Sequence, residues 1–379
     1  MTMTVGLICS NYYAISKTTT NGTAIFAYSL MDALRARQRS SVTFRVYAAR
    51  DSHVPFPHDS LDMPPLSDEP EILRSGKHIL WEQTLIARAF SDDRCDVFHV
   101  NIGDGDLIMP LAHLTEKPII ITLHHLLDAE YVRRFFSLYP DVTNVHFVAA
   151  SAAQRTILPS VAYAGVIHHG VPVETFAFDP RGGDSLMWAG RMIPEKAPDI
   201  FARIVEATGR AGIMYGIPRV EHEAWFASEV MREEASDLRL VTGRDRFGLR
   251  DAYAGSKAFV HPVMSEEAFG LVLVESMSCG TPVIAFARGS IPEIVEDGVT
   301  GFIVNPSDHD LRGDWLVKKT GIAGMVEAVE RMYAMPAGDY AAMRAACRAR
   351  AESRFDIKRT ANEYLQLYAR LHAATNVAR

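Results

Sequence analysis

KAFVHPVMSEEAFGLVLVESMSCGTPVIAF, residues 257–286, holds a complete structural cycle. KAFVHP is a short apolar run stopped by Pro262, which reads as a buried strand. Ser265 to Gly270 form a loop, and LVLVESMSC opens a helix directly after it. Gly280 ends that helix, Pro282 prevents its continuation, and PVIAF starts the next strand. Strand, helix and strand in so short a span make a βαβ unit of a parallel sheet. Its helix mouth has a chemical character. Gly270 lets the backbone approach a ligand closely. The amides of Phe269, Gly270, Leu271 and Val272 would face a phosphate, helped by the helix dipole. Glu267 lies in the loop just before the mouth and Glu275 about one turn inside it. Two carboxylates beside an anion site are costly unless they grip hydroxyl groups, which carboxylates accept strongly. A sugar nucleotide carries both hydroxyls and phosphates. The glycine loop alone says less, because any βαβ unit has one, and surface glutamates are ordinary.

The same alternation extends in both directions. Upstream, VGLICS is a strand, NYYAISKTTTNGT a polar loop, AIFAYSLMDALRAR a helix with an apolar face at Phe26, Leu30 and Leu34, and VTFRVYAA a strand. Residues 51–70, rich in proline and charge, read as an irregular surface loop. DVFHVN, PIIITLHH and VHFVAAS repeat the strand pattern. AGVIHHGVPVETFAFDP, residues 164–180, reads as a linker. After it come a strand in DSLMWAGR, a helix in APDIFARIVEATGR, strands in AGIMYG and LRLVTG, the 257–286 cycle, and then IPEIVEDG and GFIVNP as helix and strand. The tail from Tyr340 to Leu371 reads as helical throughout. The fold class is therefore α/β, with two alternating halves joined near Gly170.

Length and composition agree. A chain of 379 residues is too long for one ordinary core and suits two domains. Hydrophobic residues at 48% and charged residues at 22% are a globular balance. A net charge of -7 argues against a general nucleic-acid binder, which presents a basic face. No apolar run is long enough to span a membrane. The start, MTMTVGLICSNYY, has no basic region of a secretory signal. Cys9, Cys95, Cys279 and Cys347 are too scattered for a metal or disulfide framework. The expectation is a cytoplasmic protein with at most peripheral membrane contact. Arg35, Arg37 and Arg39 close the first helix, where positive charge complements its C-terminus; contact with a membrane or an anionic acceptor is the other reading.

The pair Glu267 and Glu275, set within EAFGLVLVESMSCGTPVIAF and continued by RGSIPEIVEDGVTGFIV, resembles the signature of the retaining family-four glycosyltransferases of GT-B fold. SLMWAGRMIPEKAPDIFARI resembles that family's Gly-Arg, four residues, Lys segment, DAYAGSKAFVHP its helix-strand entry, and RFDIKRTANEYLQLY its C-terminal helix. The resemblance implies two Rossmann-like doubly wound domains facing across a cleft: residues 1–170 for the acceptor, 171–355 for the nucleotide sugar, and 356–379 as a helix packing back on the N-terminal domain. It also implies roles. Glu267 would contact donor-sugar hydroxyls, Glu275 the ribose, and Arg191 with Lys196 the diphosphate. On their own, those two cations are as easily a salt-bridged arginine and a solvated lysine. His124, just past a strand end in ITLHHLLD, would contact the donor sugar, with His125 its neighbour in contention. Asn21-Gly22-Thr23 resembles the family's first glycine-rich loop, which implies a place for Gly22 near the donor phosphates and acceptor, with Gly22 alone where two glycines are usual. Ala268 stands where proline is common.

The implied reaction transfers a sugar from a nucleotide-sugar donor, UDP- or GDP-linked, to an acceptor hydroxyl with retention and without a metal or other cofactor. Asp104-Gly105-Asp106 has the spacing of a metal-binding pair but precedes apolar helical sequence and is not read as a metal site. Glu195, Asp128 and Arg244 read as solvated charges, and the base pocket falls near Gly216 and Thr242 to Arg244. The acceptor is not legible. Two rivals share the architecture: a sugar-nucleotide epimerase, which needs acid and base carboxylates and no acceptor, and a non-catalytic sugar-nucleotide binder.

Overall fold

The computed structural model describes residues 2–37, 41–103, 105–231, 237–242 and 246–378. The chain divides into two compact units, Met1–Gly170 with Ile357–Arg379, and Val171–Asp356.

In the first unit the strands are β1 (Met3–Cys9), β2 (Val42–Tyr47), β3 (His58–Asp59), β4 (Val97–Asn101), β5 (Ile119–Thr122), β6 (Val145–Ala149) and β7 (Tyr163–Val166). They form one parallel sheet in the order β3-β2-β1-β4-β5-β6-β7. The helices are α1 (Gly22–Arg35), α2 (Pro70–Ser75), α3 (His78–Phe90), α4 (Glu130–Phe136) and α5 (Ala152–Ile157). β1, β4, β5 and β6 are almost continuously buried, as strands covered on both faces must be. Phe26, Leu30 and Leu34 follow the helical period and put one face of α1 into the core. Asn21 caps α1, its Oδ1 accepting from the Thr23 and Ala24 N–H groups.

The second unit has β8 (Leu186–Ala189), β9 (Gly212–Tyr215), β10 (Leu238–Val241), β11 (Ala258–His261), β12 (Val283–Phe286) and β13 (Gly301–Val304), again parallel, in the order β10-β9-β8-β11-β12-β13. Its helices are α6 (Pro198–Thr208), α7 (Glu223–Glu229), α8 (Arg246–Ala254), α9 (Leu271–Ser278), α10 (Ile291–Ile294), α11 (Gly321–Ala334) and α12 (Ala337–Arg354). α13 (Ile357–Ala378) follows, and it belongs to the first unit. Each sheet reverses its strand order once, between β1 and β4 and between β8 and β11, the positions where open α/β sheets bind ligands beyond the strand ends. The expected α/β class, with two Rossmann-like halves, is the one observed.

Four boundaries differ from the sequence reading. The tail is two helices, broken at Phe355 and Asp356, because tertiary contacts seize the chain there: Phe355 is buried, its carbonyl accepts from the Val171 N–H, and Asp356 bridges Val171. The stretch read as a linker begins inside β7, whose residues pair with β6. Residues 51–70 include the edge strand β3 and a short 3-10 turn at Leu66–Asp68. The first helix stops at Arg35. Arg35 is exposed and Arg37 donates to Asn362 of α13, while Arg39 lies outside the described residues.

α13 docks on α1 and closes the first unit's core with Tyr364, Leu367 and Tyr368. A buried polar chain secures it. His99 Nδ1 meets Tyr368 Oη at 2.6 Å, His99 Nε2 meets Thr122 Oγ1 at 2.7 Å, and Thr122 Oγ1 meets Tyr364 Oη at 2.6 Å. Burial holds the His99 ring at about 3, far below its ordinary 6.5, so the network is built on neutral imidazole.

Candidate active site

The candidate site of the second unit is assembled by the loops after β8 and β11. At the end of β8 the chain turns through Gly190 and Arg191 into a 3-10 turn, Pro194–Lys196. Trp188 Nε1 donates to the Lys196 carbonyl at 3.3 Å and anchors that turn from the core. Ala197, next in line, adopts a left-handed conformation, φ 51° and ψ 48°, which costs a non-glycine residue about 1 kcal/mol. This strained step launches α6 and aims Lys196 back across the sheet. Lys196 Nζ meets Glu267 Oε2 at 2.9 Å. Arg191 is exposed and unpaired among the described residues, a free guanidinium five residues from the lysine.

From β11, His261 at the strand end is 3% exposed and its Nε2 lies 3.3 Å from the same Glu267 oxygen. Burial lowers the His261 pKa, so the neutral ring donates Nε2–H to the carboxylate. Burial alone would raise the Glu267 carboxyl, but the His261 hydrogen bond and the Lys196 charge outweigh it and hold Glu267 at about 2. Glu267 is therefore ionised with a lysine on one oxygen. That arrangement can accept hydroxyl groups and present a cation at one point.

Gly270 caps α9 in a left-handed conformation, φ 87°, where a Cβ would lie 3.0 Å from Leu273 and 3.3 Å from Glu267. The Leu271 and Val272 N–H groups open the helix and have no acceptor within it. Phe269 is buried with its ring edge-on to Phe355, 5.9 Å between centroids. Glu275 sits in the second turn, 5% exposed, with the Tyr253 hydroxyl at 3.5 Å. Gly280, φ 85°, follows the C-cap as the sequence implied.

Several residues of this site carried no recognised signal. His261 is one; its clue was its place at a strand end, six residues before Glu267. The others lie in the segment after β12. Ser290 N–H donates to the Glu267 carbonyl at 2.9 Å, and Ser290 Oγ donates to the Phe269 carbonyl at 2.7 Å. Gly289 N–H donates to Glu266 at 2.5 Å. Glu266 also pairs with Arg288 and Arg312 at 3.3 and 2.8 Å, and both arginines pair with Asp310. The Glu267 loop is thus clamped from outside by the 288–290 turn.

The remaining expected residues are in the first unit. Gly22 opens α1, and a Cβ there would meet nothing within 4 Å. His124 follows β5, its ring packed on Phe26 and His169 at 5.4 and 5.0 Å. Its Nε2 is buried with no partner among the described residues, and burial holds its pKa well below 6.5. His125 and Asp128 are exposed, as is Glu195 in the second unit. Gly216 directly follows β9; Arg244 and Asp104 lie outside the described residues, and Asp106 accepts from the Leu107 N–H at 2.9 Å. Among the described residues no helix is long and apolar enough to cross a membrane, and the four cysteines are buried free thiols.

Residues 190–312 match the family of glycosyl transferases group 1, a stretch that runs from the Gly190 turn through the Glu267 loop to Arg312. The chain is 34% identical over 171 residues to D-inositol 3-phosphate glycosyltransferase of Mycobacterium sp. (strain KMS), covering 40% of this chain and 37% of that relative. The match therefore spans less than half the length of that protein. Two solved structures share the architecture over nearly the whole chain. Sucrose-phosphate synthase from Thermosynechococcus elongatus has a TM-score of 0.76 at 19% identity, covering 98% of this chain and 100% of its own. HepE of Anabaena in complex with UDP and glucose has a TM-score of 0.69 at 16% identity, covering 97% and 99%. At such identities the likeness is one of fold, and the fold is GT-B.

Proposed function

We propose that this chain, a member of the group 1 glycosyltransferases by its residues 190–312, transfers a sugar from a nucleotide-sugar donor to an acceptor hydroxyl, with retention and without a metal. The observation that carries the reading is the Lys196–Glu267–His261 contact beside the open mouth of α9. A largely enclosed, ionised carboxylate held against a lysine suits a ligand that brings hydroxyls to one and phosphate to the other. Arg191 and Lys196 supply positive charge for a diphosphate leaving group, the work a divalent cation does elsewhere. The Leu271 and Val272 amides add fixed dipoles for the same charge. Glu275 takes the ribose hydroxyls, and Glu267 orients the donor sugar. The acceptor hydroxyl attacks from the face the diphosphate leaves, and a leaving phosphate oxygen takes its proton, so no separate protein base is required.

The donor class is supported by HepE, whose structures hold UDP with glucose, or UDP-glucose. We extend that class to this chain as a UDP- or GDP-sugar. Four reduced thiols suit a cytoplasmic location. The test is thermal unfolding of the full chain with UDP, GDP and ADP, without metal and with EDTA. One nucleotide should raise the midpoint by several degrees at concentrations well above its Kd. The corresponding sugar nucleotide should then be slowly hydrolysed or transferred in EDTA. Absence of stabilisation by any nucleotide, or turnover restored only by a divalent cation, would overturn the reading.

A further inference from the structure

The first unit contains a cavity of ≈ 150 Å³ at its own strand-order reversal. Ser10, Tyr12 and Tyr13 after β1, Asn21 and Thr23 at the start of α1, and Asn101 at the end of β4 line it. The rings of Tyr12 and Tyr13 meet edge to face, 4.7 Å between centroids, and Tyr13 is 44% exposed.

Its polar groups favour one kind of guest. Asn101 is 3% exposed, and its Oδ1 has no partner among the described residues. A buried acceptor left open in this way costs about 1–3 kcal/mol unless a donor arrives. The helix mouth, by contrast, is already occupied, because Asn21 Oδ1 takes the Thr23 and Ala24 N–H groups that an anion would use. Among the described residues no Lys, Arg or His side chain lines the cavity. The group that braces its wall is acidic: Glu82, 5% exposed, accepts from the Ser10 hydroxyl at 2.5 Å and from the Asn11 N–H at 2.9 Å. An anion placed here would find no cation among the described lining residues and a carboxyl group behind the wall. A hydroxyl-bearing ring would find an amide oxygen to donate to, hydroxyl groups, and an aromatic surface for its C–H face.

We propose that this cavity receives the acceptor, on the reading that the chain is a glycosyltransferase, and that the acceptor group seated there is an uncharged polyhydroxylated ring rather than a phosphorylated one. The chain would then differ in acceptor class from its D-inositol 3-phosphate glycosyltransferase relatives, whose name specifies a phosphate.

Ligand-observed NMR on the full chain, saturated with UDP, tests this. The probes are methyl α-D-glucopyranoside and myo-inositol against glucose 6-phosphate and myo-inositol 3-phosphate. At least one neutral ring should bind at least tenfold more tightly than its phosphate. Asn101→Leu and Tyr13→Ala should each weaken that binding severalfold while UDP affinity is unchanged; Tyr13, being exposed, is a replacement the fold tolerates. Tighter binding of a phosphorylated probe overturns the proposal, as does UDP binding with no neutral probe bound. Failure of UDP, GDP and ADP alike to bind overturns instead the transferase reading beneath it; if GDP or ADP binds in place of UDP, that nucleotide saturates the chain in the same experiment.

Discussion

On the proposed reading Lys196 and Glu275 divide the donor's work between them, and their substitutions separate the two parts. Lys196→Ala removes charge that matters most as the leaving diphosphate develops, so kcat should fall by on the order of 10²–10³ with a smaller change in donor affinity. Glu275→Ala removes a hydroxyl-accepting carboxylate and should weaken nucleotide binding by roughly tenfold to a hundredfold, measured by calorimetry. Equal loss of both quantities in both variants would merge the roles. Gly289 is a different case. Its φ is 52°, and a Cβ there would stand 2.2 Å from the Glu267 carbonyl oxygen and 2.6 Å from the Glu267 nitrogen. Gly289→Ala should cost about 2 kcal/mol or more and lower activity further than its stability loss explains, because the backbone that must move is that of Glu267. Thermal unfolding and kcat together check it. Glu267, Glu275, Arg191 and Lys196 were open to proposal from the sequence because spacing and a family resemblance are properties of sequence. His261, Ser290 and Glu266 were not, because their importance is a matter of which side chain meets which backbone atom after folding.

The helices of the second unit owe their arrangement to Arg344 on α12. It is fully buried and donates to the carbonyls of Asp179, Ala254, Ser256 and Cys279 and to the Tyr340 hydroxyl. Ala254 is the last residue of α8 and Cys279 the C-cap of α9, so one guanidinium satisfies the negative ends of two helices. Arg344→Met should leave several buried carbonyls without donors and destabilise the protein by about 3–5 kcal/mol, read by chemical denaturation. A loss under 1 kcal/mol would show that water replaces the guanidinium. The strands and most helices of this unit could be read from apolar runs punctuated by glycine and proline. The break between α12 and α13 could not: RFDIK contains neither residue, and the helix is interrupted because the Val171 N–H and a buried Phe355 claim the chain there.

Across the molecule, acid bears unequally on the two units. His99 and His169 of the first unit are each held by burial at about 3, and His124 well below 6.5. Each takes a proton readily only when unfolded. Between about pH 6.5 and 3 the unfolded chain thus binds protons that the folded one refuses, and stability falls with pH by roughly 1.4 kcal/mol per unit per histidine. Above 6.5 these rings contribute no slope. Limited proteolysis from pH 7 to 5 should therefore open sites in residues 2–170 before those in 171–356; simultaneous cleavage would count against it. The two-domain division was legible in the alternating pattern, but the return of α13 to the first core was implied only by resemblance. That return has a consequence for synthesis. The N-terminal core lacks Tyr364, Leu367 and Tyr368 until the ribosome has released residues 357–378, whereas residues 171–356 are contiguous and complete earlier. The half translated first is the half that matures last, so the nascent chain spends most of its elongation with an exposed α1 groove, a surface for chaperones to shield.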